Sequence, residues 1–170
     1  MHPHPQVPKL EVSEPFAGAI LISPWTRFHY HDAIFDRNQS SDYVTFEAAS
    51  RWASLYLGKF TGLRALYVLL TRRDIGGKEY DNYNMAYIAP VSWFEGLEKV
   101  AKDIFVWGGG GEVLIGSIDA IAEKLKKAHP RVEYVVQPGA SHEDFIIDTL
   151  LGYKNVQGTE IIRRWIQQRL

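Results

Sequence analysis

Residues 103–142 read DIFVWGGGGEVLIGSIDAIAEKLKKAHPRVEYVVQPGASH, and their order decides the fold class. Asp103-Ile-Phe-Val-Trp107 is a short apolar run that passes straight into Gly108–Gly111, as a buried strand does. Ile118, Ile121, Ala122 and Leu125 then recur at helical spacing until His129-Pro130 stops the helix. Val132-Glu-Tyr-Val-Val-Gln137 is the next strand. A strand, a crossover helix and a second strand within about 30 residues make a βαβ unit with a parallel pair. Upstream, Phe16-Ala-Gly-Ala-Ile-Leu-Ile-Ser-Pro24 is continuously apolar and predicts a third strand, buried on both faces. Downstream, Ile161, Ile162, Trp165, Ile166 and Leu170 share one side of a closing helix. The predicted class is α/β. Three parallel strands lie in sequential order with helices on both faces, and a helical cap segment follows the first strand.

The segment between the first two strands is less regular. Residues 25–42 are polar, aromatic-rich and loop-like, and Thr45 can then N-cap a helix with Phe46, Ala49, Trp52, Ala53 and Tyr56 on one face, closed by Gly58. Ser92-Trp-Phe-Glu95 has the capping-box spacing and predicts a helix to about Lys102. Residues 59–80 fit no period and read as an insertion into a single domain spanning 1–170. A splice-donor-like reading across Gly58-Lys59-Phe60 leaves two origins open for residues 59–78, an ordinary loop insertion or retained intronic sequence.

Composition narrows the function classes. The chain has 170 residues, is 46% hydrophobic, and can bury one core. With 19 Lys+Arg against 20 Asp+Glu it has no basic footprint for nucleic acid or an anionic membrane. It has no cysteine, which excludes a disulfide framework, a thiolate zinc site and a thiol nucleophile. No apolar run reaches the roughly 18 residues of a membrane span, and MHPHPQVPKLEV lacks the pattern of a signal peptide.

The glycine run invites a nucleotide-binding reading and fails it on spacing. From Gly108 or Gly109 the third glycine of G-x-G-x-x-G falls on Val113 or Leu114, and no Lys-Ser/Thr follows. The glycines read instead as a place where backbone passes close to backbone at a strand end. Glu112 and His142 are the informative pair. Each stands just past the C-terminal end of one of two sequential strands, the order in which an α/β-hydrolase carries its acid and its histidine. The alternative is a solvated acid and an ordinary surface histidine. His29-Tyr-His31-Asp32, with His2 and His4, has no recognisable metal-ligand spacing, and no cofactor or metal is predicted.

The stretches FAGAILISPW, SDYVTFEAASRWASLYLG, DNYN, APVSWFEGLEKVAKDIFVWGGGGEVLIGSI and PGASHEDFIIDTLLGYK resemble fungal α/β-hydrolase fold-3 esterases, the group that includes steryl acetyl hydrolases. The resemblance implies a carboxylic-ester hydrolase acting on apolar acyl or acetyl esters, with Glu112 orienting His142 as general base. It also implies that the chain corresponds to the C-terminal half of such an enzyme. The G-x-S-x-G nucleophile elbow and the H-G-G oxyanion motif occur nowhere in these residues, so no nucleophile is expected in this chain and no turnover from it alone. A catalytically inactive, hydrolase-like binding domain is the alternative. The first strand would lack its neighbour, and self-association through the exposed strand edge is expected.

Overall fold

The computed structural model describes residues 12–28, 32–57, 80–154 and 156–169. Three parallel strands, β1 (Ala19–Ile22), β2 (Ile104–Gly109) and β3 (Val132–Gln137), form one sheet in the order β1-β2-β3. The register sets Ala19 against Ile104 and Ile104 against Val132, so the carboxyl ends of all three strands emerge along one edge.

Five helices accompany the sheet among the described residues: α1 (Ala33–Asn38), α2 (Phe46–Tyr56), α3 (Ile115–Ala128), α4 (Asp144–Leu150) and α5 (Gln157–Gln167). The two-residue alternation of β2 divides the core. Ile104 and Val106 pack with Ile115, Ile118, Ile121 and Leu125 of α3 and with Phe46 and Ala49 of α2. Phe105 and Trp107 face the other way, onto Phe145 of α4 and Trp165 of α5. Every residue of β2 is buried. Helices therefore cover both faces of the sheet, as the sequence predicts.

Three expectations need correction. The β1 run is shorter than 16–24 and each of its four residues is only half-buried, because it pairs with β2 on one side alone among the described residues. Ser92 makes no capping bond: Val91–Phe94 and Leu97–Lys99 are single 3₁₀ turns, separated by Gly96 at φ +87°, which takes the backbone out of the helical region. Residues 25–42 contain α1, which the sequence reading treats as loop. Asp32 caps it by accepting the Phe35 N–H at 2.7 Å, and six residues are too few for a hydrophobic period to show. Thr45 caps α2 as predicted, accepting the Ala48 N–H at 3.2 Å. The insertion at 59–80 lies outside the described residues except for Tyr80, as do Gly58, His2, His4, His29 and His31.

Candidate active site

The site lies at the carboxyl edge of the sheet, where open α/β sheets gather ligand-binding groups. Glu112 follows the glycine turn after β2, and its side chain is fully buried. His142 follows β3 through Pro138-Gly-Ala-Ser141. The two meet: His142 Nδ1 lies 2.9 Å from Glu112 Oε2. A carboxylate here fixes Nδ1 as the donor and leaves the Nε2 lone pair for proton transfer. Nε2 has no hydrogen-bond partner among the described residues. The imidazole side chain keeps 16% of its surface exposed, enough to be reached from outside.

A buried carboxylate is costly unless its oxygens are saturated with donors. Glu112 Oε1 receives two: the Gly109 N–H at 2.6 Å and the Ser23 hydroxyl at 3.0 Å. Three donors from three strand ends thus converge on one side chain. Ser23 has φ +41° and Glu143, next to His142, has φ +51°. They are the non-glycine residues with positive φ among the described residues, and both flank the site. Such conformations cost about 1–3 kcal/mol each and persist where the surroundings over-determine them.

The sequence reading missed Ser23. The available signal was Ser-Pro ending an apolar strand, but its partner is 89 positions away. The His142 ring also meets Tyr43 in a T-shaped arrangement, with ring centroids 6.0 Å apart.

The electrostatics follow from this packing. Burial pushes the Glu112 carboxyl up, opposed by the hydrogen bonds from His142, Gly109 and Ser23. For His142, burial opposes protonation, but the hydrogen bond and charge of Glu112, joined by Glu143 and Asp42, outweigh it and raise the pKa above 6.5. A raised folded-state pKa means that the protonated ring stabilises the fold. That contribution is fully present below pH 6.5 and is lost as pH rises through the raised value. Urea unfolding midpoints are therefore expected to fall from pH 6.5 upward in the native chain. The fall should be smaller in Glu112→Gln, and equal slopes would contradict the coupling.

Beyond β1 lies an open cavity of about 430 Å³, walled by Trp25, Phe28, Trp52, Tyr56 and Tyr83 with Thr26 and Asn84 as its polar members. Trp25 stacks edge-on against both Phe28 and Trp52, at centroid distances of 5.8 and 6.1 Å. Trp52 and Tyr56, which helical spacing puts on one face of α2 and which read as helix core first and as a substrate-facing cap second, are 45% and 66% exposed. They border this cavity rather than fill the core. Among the described residues no group of three His, Asp or Glu side chains is placed to hold a metal ion. No described helix is long and apolar enough to cross a membrane.

No protein-family model matches the chain, and no curated protein matches it. Solved structures do. The structure of EstE5, from a crystal soaked with p-nitrophenyl butyrate, matches over 90% of this chain with a TM-score of 0.64 at 16% identity. A serine-to-alanine mutant of the esterase rPPE, in complex with (S)-Ac-CPA, matches over 84% with a TM-score of 0.59 at 17% identity. The chain has the α/β-hydrolase fold of these structures, and it spans 43% and 39% of their respective lengths.

Proposed function

We propose that this chain carries the acid and the base of a carboxylic-ester hydrolase, Glu112 as orienter and His142 as general base. The observation that carries the reading is the 2.9 Å contact between His142 Nδ1 and the buried Glu112, with Nε2 left without a partner among the described residues. The likeness in fold to EstE5 and the esterase rPPE supports it.

In this chemistry His142 Nε2 takes the proton from a serine hydroxyl as the serine oxygen bonds to the ester carbonyl carbon. Nε2 then returns that proton to the departing alcohol as the carbon–oxygen bond breaks. A water, deprotonated by the same nitrogen, releases the acid and restores the serine. Glu112 stays ionised throughout and holds the ring in one tautomer while the imidazolium forms. The serine comes from outside these 170 residues, which contain no G-x-S-x-G.

The cavity walled by Trp25, Phe28, Trp52, Tyr56 and Tyr83 suits an apolar portion of the ester, as aromatic walls with a few polar groups usually do. Within this reading, the acetyl or apolar acyl esters implied by the resemblance to fungal fold-3, steryl acetyl hydrolase-like esterases are the proposed substrates. The missing elbow favours one competing reading, an inactive hydrolase-like binding domain.

A chromogenic short-chain acyl ester separates them. The chain alone is expected to give no turnover. Mixed or co-expressed with a polypeptide carrying the H-G-G and G-x-S-x-G segments of a related esterase, it should become active. Persistent inactivity of a folded, assembled pair would favour the binding domain.

A further inference from the structure

The end of α1 and the turn that leads to α2 contact both halves of the candidate site. Asn38 Nδ2 donates to the Glu112 carbonyl at 2.8 Å, and Ser41 Oγ donates to the Gly111 carbonyl at 2.7 Å. Asp42 reaches further. Its Oδ2 accepts the Val113 N–H at 2.7 Å, directly after Glu112. Its Oδ1 accepts the His142 N–H at 3.3 Å and the Val44 N–H at 3.1 Å. One carboxylate therefore joins the backbone that carries the acid to the backbone that carries the base, across 71 positions on one side and 100 on the other.

We infer that Asp42 is a positioning residue: by tying the glycine turn to the histidine loop, it sets the separation over which Glu112 holds His142. The inference rests on reading those two residues as orienter and base.

The physical case is one of rigidity. The two loops leave neighbouring strands, and β3 is only partly buried. The 2.9 Å bond between Glu112 and His142 has to hold two loop backbones in register. A side chain that moves by an ångström loses such a bond, and proton transfer is correspondingly sensitive to placement. A carboxylate suits the bridging role because its two oxygens accept several N–H groups at once and make charge-assisted, stronger bonds. An asparagine in its place offers one acceptor oxygen and turns an NH₂ toward a backbone donor. The charge also acts on the imidazole, together with Glu112 on the glycine turn and Glu143 beside His142. The Tyr43 ring packs against it in a T-shaped arrangement, and Asp144, two residues on, accepts the Ser141 N–H.

The test is nuclear magnetic resonance on the full chain, which needs no turnover. A histidine N–H held by a carboxylate gives a deshielded, slowly exchanging Nδ1 proton signal, so the signal reports the Glu112–His142 bond directly. In Asp42→Asn that signal is expected to weaken, the Val113 amide to lose exchange protection, and the His142 titration midpoint to fall toward 6.5. Ser41→Ala removes one tether to the glycine turn and none to His142, and should leave the signal at native strength.

An unchanged signal in Asp42→Asn overturns the inference. So does a midpoint that moves while the signal keeps its intensity, which would make Asp42 only a nearby charge. Equal loss in Ser41→Ala also overturns it, because general loosening would then be the cause. Glu112→Gln separates this inference from the reading beneath it. It should remove the signal in every background; if it does not, the orienter and base assignment falls, whatever Asp42 does.

Discussion

In a hydrolase reassembled from this chain and a serine-bearing partner segment, His142→Ala is expected to lower kcat by about 10⁶ and Glu112→Gln by about 10⁴. The two magnitudes differ because the roles differ. Without the imidazole, nothing accepts the serine proton, and the nucleophile stays a neutral alcohol. With glutamine at 112 the base remains, but the amide oxygen and nitrogen no longer dictate which ring nitrogen carries the proton. The replacement keeps nearly the same volume, which matters in a site where the native side chain is fully buried. Initial rates on one chromogenic ester, with each variant checked for folding, measure both effects. Small and equal losses would remove Glu112 and His142 from the chemistry. Turnover surviving His142→Ala would point to another base or to a contaminant.

Gly109→Ala should have the largest effect on stability among single-methyl changes near the site. A Cβ there would stand 2.4 Å from the Ala140 carbonyl oxygen, 2.6 Å from that of Ser141 and 2.8 Å from the Ala140 carbonyl carbon. All three are backbone atoms, so relief requires the histidine loop itself to move. Overpacking of this kind costs about 3 kcal/mol or more when no side chain can turn aside. In a domain of this length that lowers Tm by roughly 6–12 °C.

Gly110→Ala is the comparison. Its added Cβ meets nothing nearer than the Gln137 carbonyl oxygen at 3.2 Å. A shift of a few tenths of an ångström accommodates it, at a cost of about 1 kcal/mol. Thermal unfolding of the two variants side by side decides the matter, and equal losses would mean that the loop yields easily. Gly109→Ala should also disturb the His142 Nδ1 signal, because the Gly109 N–H is a donor to Glu112.

The strand–helix–strand order from Ile104 to Gln137 was legible because it is written in local periodicity. Alternating burial and helical spacing are properties of neighbouring residues, and they survive whatever the rest of the chain does. β3 occupies the predicted Val132–Gln137. The glycine run was legible in kind, as a close approach of backbones, though its neighbour, the loop at 137–141, was not. The pairing of Glu112 with His142 was suggested by topology, since consecutive parallel strands are usually neighbours and bring their loop ends together. The expected helix after Ser92 failed because Gly96 takes a left-handed conformation that a local spacing rule does not see.

By itself, then, the order of residues determined the α/β class, the sequential parallel sheet and the two strand ends at which an acid and a histidine stand. Tertiary structure alone decided how that acid tolerates burial and what holds the histidine loop to it. Ser23 reaches Glu112 across 89 positions, and Asp42 reaches His142 across 100. No period encodes such contacts. A buried carboxylate recruits whichever donors the packed backbone brings within about 3 Å, and those become definite only when the strands and loops are assembled.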